Sequence, residues 1–205
     1  MKRKLLASFV IVFVLFSTTS MSAWAEIFTV TLPDNLGTPG YGLNGGRLDY
    51  SITSPFASPA GANLTFDLVG YNSVDGSGAW VDTFTIIVNG NTLFSGGFNM
   101  GGSGSTFINS IAPGVTILST SYFGPFASWG GGLTQFSVNH TLVSGTNTYS
   151  FDYGQMQGLG DEGWGLRSAV ITATPVPEPA SMLLIGAGIA ALAGVRKLKK
   201  QQQPA

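Results

Sequence analysis

The chain has 205 residues, only 9% of them charged, and no cysteine, which excludes disulfides, thiolate metal sites and cysteine nucleophiles. Between residues 26 and 175 two arginines, Arg47 and Arg167, stand against nine carboxylates, Glu26, Asp34, Asp49, Asp67, Asp75, Asp82, Asp152, Asp161 and Glu162. No basic face can be assembled there, so nucleic acid is not an expected partner.

Residues 1–25 read as a secretory signal peptide. Lys2-Arg3-Lys4 is the charged start, Leu5 to Phe16 is apolar, and Ala23 and Ala25 are the small residues required before a cleavage site, here predicted before Glu26. The apolar run is far shorter than the roughly 20 residues that span a bilayer.

Residues 26–173 read as one extracellular domain, long enough to bury a core of its own. Short runs rich in Val, Ile, Thr, Tyr and Phe alternate with Gly, Asn, Pro and Ser clusters, and no segment keeps a helical apolar period. Strands are expected at 27–32, 47–53, 63–69, 80–89, 92–98, 105–111, 115–120, 134–143, 148–153 and 166–173. Asn89-Gly90-Asn91 makes a hairpin turn, and Ser144-Gly145-Thr146-Asn147 reads as a second. In strand 80–89, Asp82 is in phase with Trp80, Phe84, Ile86 and Val88. The glycine-rich stretches 96–104 and 130–132 read as loops. Ten strands suit an all-β, antiparallel, jelly-roll-like sandwich.

Few residues carry chemistry. His140 is the single histidine, in phase with Phe136, Val138 and Leu142; a hydrogen-bonded strand histidine is the simpler reading, and a zinc site of the usual N/S type is not expected. No Gly-x-Ser-x-Gly elbow positions a serine nucleophile, and the chain is not expected to be an enzyme. Asp161 and Glu162 are the adjacent carboxylate pair, in a glycine-rich loop with Trp164. Two readings stand for that loop. One is a ligand site for calcium, whose hard oxygen ligands suit such loops, or for a sugar stacked on Trp164; the other is a solvated acidic turn with Trp164 capping the core. Asp75-Gly76-Ser77-Gly78 is a second oxygen-rich loop, and Trp80, Trp129 and Trp164 are candidates for an aromatic platform or for core packing.

The tail has three parts: Val176-Pro177-Glu178-Pro179, an apolar stretch from Ala180 to Val195, and the basic residues Arg196, Lys197, Lys199 and Lys200. Two prolines keep the first part extended. Sixteen helical residues reach roughly 24 Å, enough for a short transmembrane helix when flanking basic side chains snorkel. The basic residues should stay cytoplasmic and leave the domain outside.

This order resembles the PEP-CTERM sorting domain, also catalogued as an ice-binding-protein C-terminal domain, over residues 174–200; residues 201–205 are a polar end. The resemblance implies recognition and processing by a membrane exosortase, with Pro177, Glu178 and Pro179 as the recognition element. It implies sorting to the cell surface or the exopolysaccharide or biofilm matrix of a Gram-negative bacterium, with transient anchoring in the inner membrane. Related tails often follow Gly-Trp-Gly and Asp-Asn in a last strand, where this chain has Arg167-Ser168. A carbohydrate- or calcium-binding lectin-like module is the alternative reading.

Overall fold

The computed structural model describes residues 26–127, 130–175 and 184–192. The predicted leader (1–25, with Ala23 and Ala25), the motif residues Val176, Pro177, Glu178 and Pro179, and the basic cluster Arg196, Lys197, Lys199 and Lys200 lie outside the described residues, as does Trp129. Residues 184–192 are helical, and among the described residues no helix is long and apolar enough to cross a membrane.

Ten strands form: β1 (Phe28–Thr31), β2 (Arg47–Ser54), β3 (Ala60–Asn72), β4 (Phe84–Val88), β5 (Asn91–Gly97), β6 (Phe107–Ile111), β7 (Val115–Ala127), β8 (Gly130–Leu142), β9 (Gly145–Asp152) and β10 (Glu162–Pro175). They make two five-stranded sheets, ordered β1-β10-β3-β8-β7 and β2-β9-β4-β5-β6, with every pairing antiparallel. The chain passes from sheet to sheet after β1, β2, β3, β6, β8 and β9.

Alternation along the strands decides what lies between the sheets. Leu64, Phe66 and Leu68 of β3, Phe84, Ile86 and Val88 of β4, Phe136 and Val138 of β8, and Tyr149 and Phe151 of β9 are all buried in one core. Phe66 stacks on Phe136 at 4.9 Å within its own sheet and meets Phe151 of the facing sheet edge-on at 5.0 Å. Phe94 of the second sheet likewise meets Phe136 edge-on at 5.2 Å. Such aromatic pairs add about 0.5–1.5 kcal/mol each beyond the area they bury. The outward faces carry polar ladders instead. Ser119, Gln135, Asp67 and Arg167 join β7, β8, β3 and β10 through successive hydrogen bonds of 2.8, 3.0 and 2.9 Å.

Local chemistry sets the turns. Asn89 and Gly90 both take positive φ, 50° and 77°, and close the two-residue β4–β5 hairpin. The expected second hairpin is instead a corner, because β8 and β9 belong to different sheets. Buried Asn147 holds it, accepting from the Val143 N–H (2.9 Å) and donating to the carbonyls of Val143 (2.9 Å) and Gly145 (3.1 Å). Strand β4 begins only at Phe84, so Trp80 sits in the preceding loop, 61% exposed, and does not share the core-facing row. The glycines at 96–97 and 130–132 lie in β5 and β8 and not in loops, since Gly96 and Gly97 pair with Ile108 and Phe107, and Gly132 with Gly70.

Candidate metal centre

Three loops converge at one end of the sandwich: β3–β4 (73–83), β5–β6 (98–106) and β9–β10 (153–161). The first two are laced through their backbones. The Val74 carbonyl accepts from the N–H groups of Met100 (2.9 Å) and Gly102 (3.3 Å), Gly76 N–H donates to Ser103 O (2.9 Å), and Ser77 N–H to Ser105 O (2.7 Å). The third loop joins through Ser73, whose N–H donates to Asp161 O (3.0 Å) and whose hydroxyl donates to the Asp161 carboxylate (2.9 Å). Glycine at 102 is required by this close approach, because a Cβ there would collide with the Asp75 carboxylate and the Ser73 carbonyl.

Inside this junction lie Asp75 (6% exposed), Asp82 (5%) and Glu162 (0%). One carboxylate oxygen from each lies within 4.8 Å of the others. Each carboxylate also accepts one backbone N–H: Asp75 Oδ1 from Ser103, Asp82 Oδ2 from Asp75 (2.7 Å) and Glu162 Oε2 from Gln157 (3.0 Å). Among the described residues no N–H or hydroxyl donates to Glu162 Oε1, and the buried hydroxyl of Tyr153 has no partner.

The electrostatics follow from this crowding. Burial, and then the charges of Asp82, Asp75 and Asp161, push the Glu162 carboxyl up to about 7. Burial raises Asp82 as well, with the charges of Asp75 and Asp161 adding to it and hydrogen bonds from the Asp75 N–H and the Glu162 carboxyl working against it, and the Tyr153 hydroxyl is pushed up by burial and by the charges of Asp82 and Glu162. Both arginines of the domain are engaged elsewhere, Arg47 with Asp49 at 2.7 Å and Arg167 with Asp67 at 2.9 Å. Three buried carboxylates with no basic side chain of the described residues beside them must hold protons or a cation.

The structure separates the adjacent pair that the sequence offered. Glu162 opens β10 with its side chain inward, while Asp161 is exposed and bound to Ser73. Trp164 is fully buried, donates its indole N–H to Gly45 O at 2.9 Å and packs 5.5 Å from Tyr153. It offers no ring face for a sugar, so of the two readings of Trp164 the structure has it in the core. Glu162 instead joins Asp75 of the second oxygen-rich loop, and Asp82, whose place in phase with core residues was the available signal. His140 is half-buried on β8, with Nε2 2.8 Å from the Tyr149 hydroxyl and Nδ1 3.1 Å from Val138 O. It has no second imidazole or thiol with which to bind zinc. Arg167 and Ser168, which stand where related tails have Asp-Asn, form the outer ion pair with Asp67 and a β10 bulge in which the Ser168 N–H donates to Asp34 at 2.8 Å.

The described domain is therefore a two-sheet antiparallel β protein with a buried acidic junction at one end. Residues 175–197 match the PEP-CTERM protein-sorting motif. No curated protein matches the chain in sequence. Among solved structures, the chain is similar to dimeric latent PorU from Porphyromonas gingivalis at 12% identity and TM-score 0.41, covering 76% of this chain and 14% of that one. It is also similar to a family 35 carbohydrate binding module from Clostridium thermocellum at 17% identity and TM-score 0.32, covering 72% of this chain and 90% of that one. Neither similarity is close enough to carry a function across.

Proposed function

We propose that the protein is an exported, jelly-roll-like β-sandwich displayed at the cell surface or in the exopolysaccharide matrix after an exosortase processes its tail. The observation that supports this most is the sorting motif, which begins at Pro175, the residue that ends β10. In this reading Ala180 to Val195 forms a short membrane helix, with Arg196, Lys197, Lys199 and Lys200 as its cytoplasmic stop. The leader ending at Ala25 directs export and is removed before Glu26. The domain is a surface module and not an enzyme.

A second reading, a calcium- or carbohydrate-binding module, is favoured on the calcium side by the buried Asp75, Asp82 and Glu162 junction.

The sorting reading is tested by replacing Pro177, Glu178 and Pro179 together with alanine. The apolar stretch and the basic stop are untouched, so the variant should still insert with its domain outside. Without the proline-flanked carboxylate it should accumulate uncut in the membrane fraction of an exosortase-bearing host. A plain anchor requires unchanged size and fractionation, and that result would refute the sorting role.

A further inference from the structure

We propose that Asp75, Asp82 and Glu162 bind one Ca²⁺ ion, which pins together the β3–β4, β5–β6 and β9–β10 loops at the end of the sandwich remote from Pro175. This deepens the ligand-binding reading and does not depend on how the chain is sorted.

An acidic cluster alone would not support a site, and here two further observations do. Glu162 is wholly buried and, among the described residues, no N–H or hydroxyl donates to its Oε1, while its other oxygen is held by the Gln157 N–H. The Tyr153 hydroxyl, on a residue 1% exposed, is also unpartnered and stands in the field of Asp82 and Glu162. A buried polar atom without a partner costs about 1–3 kcal/mol, more when charged. An oxygen without such a donor and an unpartnered hydroxyl, both at a junction of three carboxylates, point to a ligand.

The donor set identifies the ligand. All three side chains offer carboxylate oxygens, and no cysteine exists to give a thiolate, so the site is hard and oxygen-only. Two ligands on opposite sides of one calcium ion lie about 4.6–5.2 Å apart, twice its usual bond length. The three oxygens fall within 4.8 Å of one another, so a single calcium ion can reach all of them with only small side-chain movement. Magnesium demands shorter bonds in a near-ideal octahedron and gives up its water reluctantly, which suits irregular loops poorly. Three carboxylates also exceed the charge of one divalent ion, so binding removes most of a repulsion that the fold otherwise contains.

The loops explain what the ion does. Asp75 and Asp82 bracket the β3–β4 loop, Asp75 is clasped by the Ser103 N–H of the β5–β6 loop, and Glu162 ends the β9–β10 loop. One ion therefore ties three segments separated widely in sequence. Outside a cell, an affinity of about 10⁻⁴–10⁻³ M is enough for a structural module to be loaded.

The test uses the full-length chain, stripped with a chelator and titrated with calcium chloride while heat and thermal unfolding are followed. One ion per chain is expected, with Tm rising by about 5–10 °C when calcium stands at about a hundred times its Kd. Glu162→Gln keeps the shape and one acceptor oxygen. It should weaken binding at least about tenfold, while its calcium-free Tm equals or exceeds that of wild type, because a buried charge has been removed. Asp49→Asn, altering an exposed carboxylate that pairs with Arg47 outside the junction, should leave binding unchanged, and so should the triple-alanine change in the sorting motif. Absence of a calcium response in the wild type would overturn the site, as would an undiminished response in Glu162→Gln. Loss of stability in Glu162→Gln together with no calcium response would mean that the carboxylates share protons instead. A magnesium response as large as that to calcium would overturn the assignment of the ion.

Discussion

His140 shows how one side chain ties stability to pH. It lies on β8 and meets Tyr149 of β9 in the opposite sheet, with ring centroids 5.4 Å apart and Nε2 2.8 Å from the phenol oxygen. In the neutral ring Nδ1–H donates to Val138 O and Nε2 accepts from the Tyr149 hydroxyl. Protonation turns Nε2 into a second donor and brings a charge into half-buried surroundings, so burial pushes the imidazole below its usual 6.5. The unfolded chain then binds more protons than the native one as the pH falls below about 6.5, and stability drops by at most about 1.4 kcal/mol per pH unit. Glu162 works in the opposite sense, since a carboxyl raised from 4.5 to about 7 costs stability as the pH rises through that window. The histidine is therefore isolated by difference: on going from pH 7 to 5 the melting temperature of wild type should fall relative to that of His140→Gln, whatever the sign of the change in either. Parallel curves would show that the cross-sheet contact carries no linkage. Backbone strain is also a matter of single residues. Of the three described non-glycine residues with positive φ, two are asparagines, Asn72 and Asn89, which tolerate it best, and the third is Ser168 at the β10 bulge.

At the scale of elements, the corner between β8 and β9 depends on one amide. Asn147 is wholly buried, yet its side chain bonds the Val143 N–H and C=O, the Gly145 C=O and the Asn89 amide, whose own oxygen accepts the Thr148 N–H. The β8–β9 corner and the β4–β5 hairpin are thereby joined. Asn147→Ala would leave several of these groups unpaired away from water. The expected loss is about 3 kcal/mol, read as a fall in Tm of roughly 10 °C; a fall of a degree or less would place the corner's stability elsewhere. The same element shows where sequence reading succeeds and where it stops. Strand positions follow from alternating apolar residues and turn chemistry, so all ten strands and the Asn89-Gly90 turn were legible. Sheet membership was not, because a Ser-Gly turn between two strands is written alike whether they pair or cross to the facing sheet. The glycines at 96–97 and 130–132 misled for a related reason: their composition is that of loops, while their backbones pair in the sheets. The acidic junction was half legible. Glu162 stood out beside Asp161, but Asp75 and Asp82 reach it only through pairing of β10 with β3, across about 80 residues of chain that no local motif spans.

For the whole molecule, the position of β10 relates the domain to its sorting signal. This strand runs from Glu162, in the acidic junction, to Pro175, where the motif begins. Fourteen extended residues measure about 45 Å, so the junction and Pro175 lie at opposite ends of the sandwich. β10 is also central: β1 pairs with one of its edges and β3 with the other, and Leu166, Ile171 and Ala173 are buried in the core. Removing residues after Pro175 takes away no described strand. Removing residues after Arg167 takes away the whole partner of β1, which pairs with Val170 to Ala173, along with two of those core side chains. A chain ending at Pro175 should thus unfold in one cooperative transition, with Tm within about 2 °C of the full-length protein and an unchanged β-type circular dichroism spectrum. A chain ending at Arg167 should show no cooperative transition, since an exposed β1 and an opened core cannot offset the conformational entropy of folding. A large loss of stability on ending at Pro175 would mean that the tail packs against the sandwich. Processing at the sorting motif would then alter the domain that it is expected to release intact.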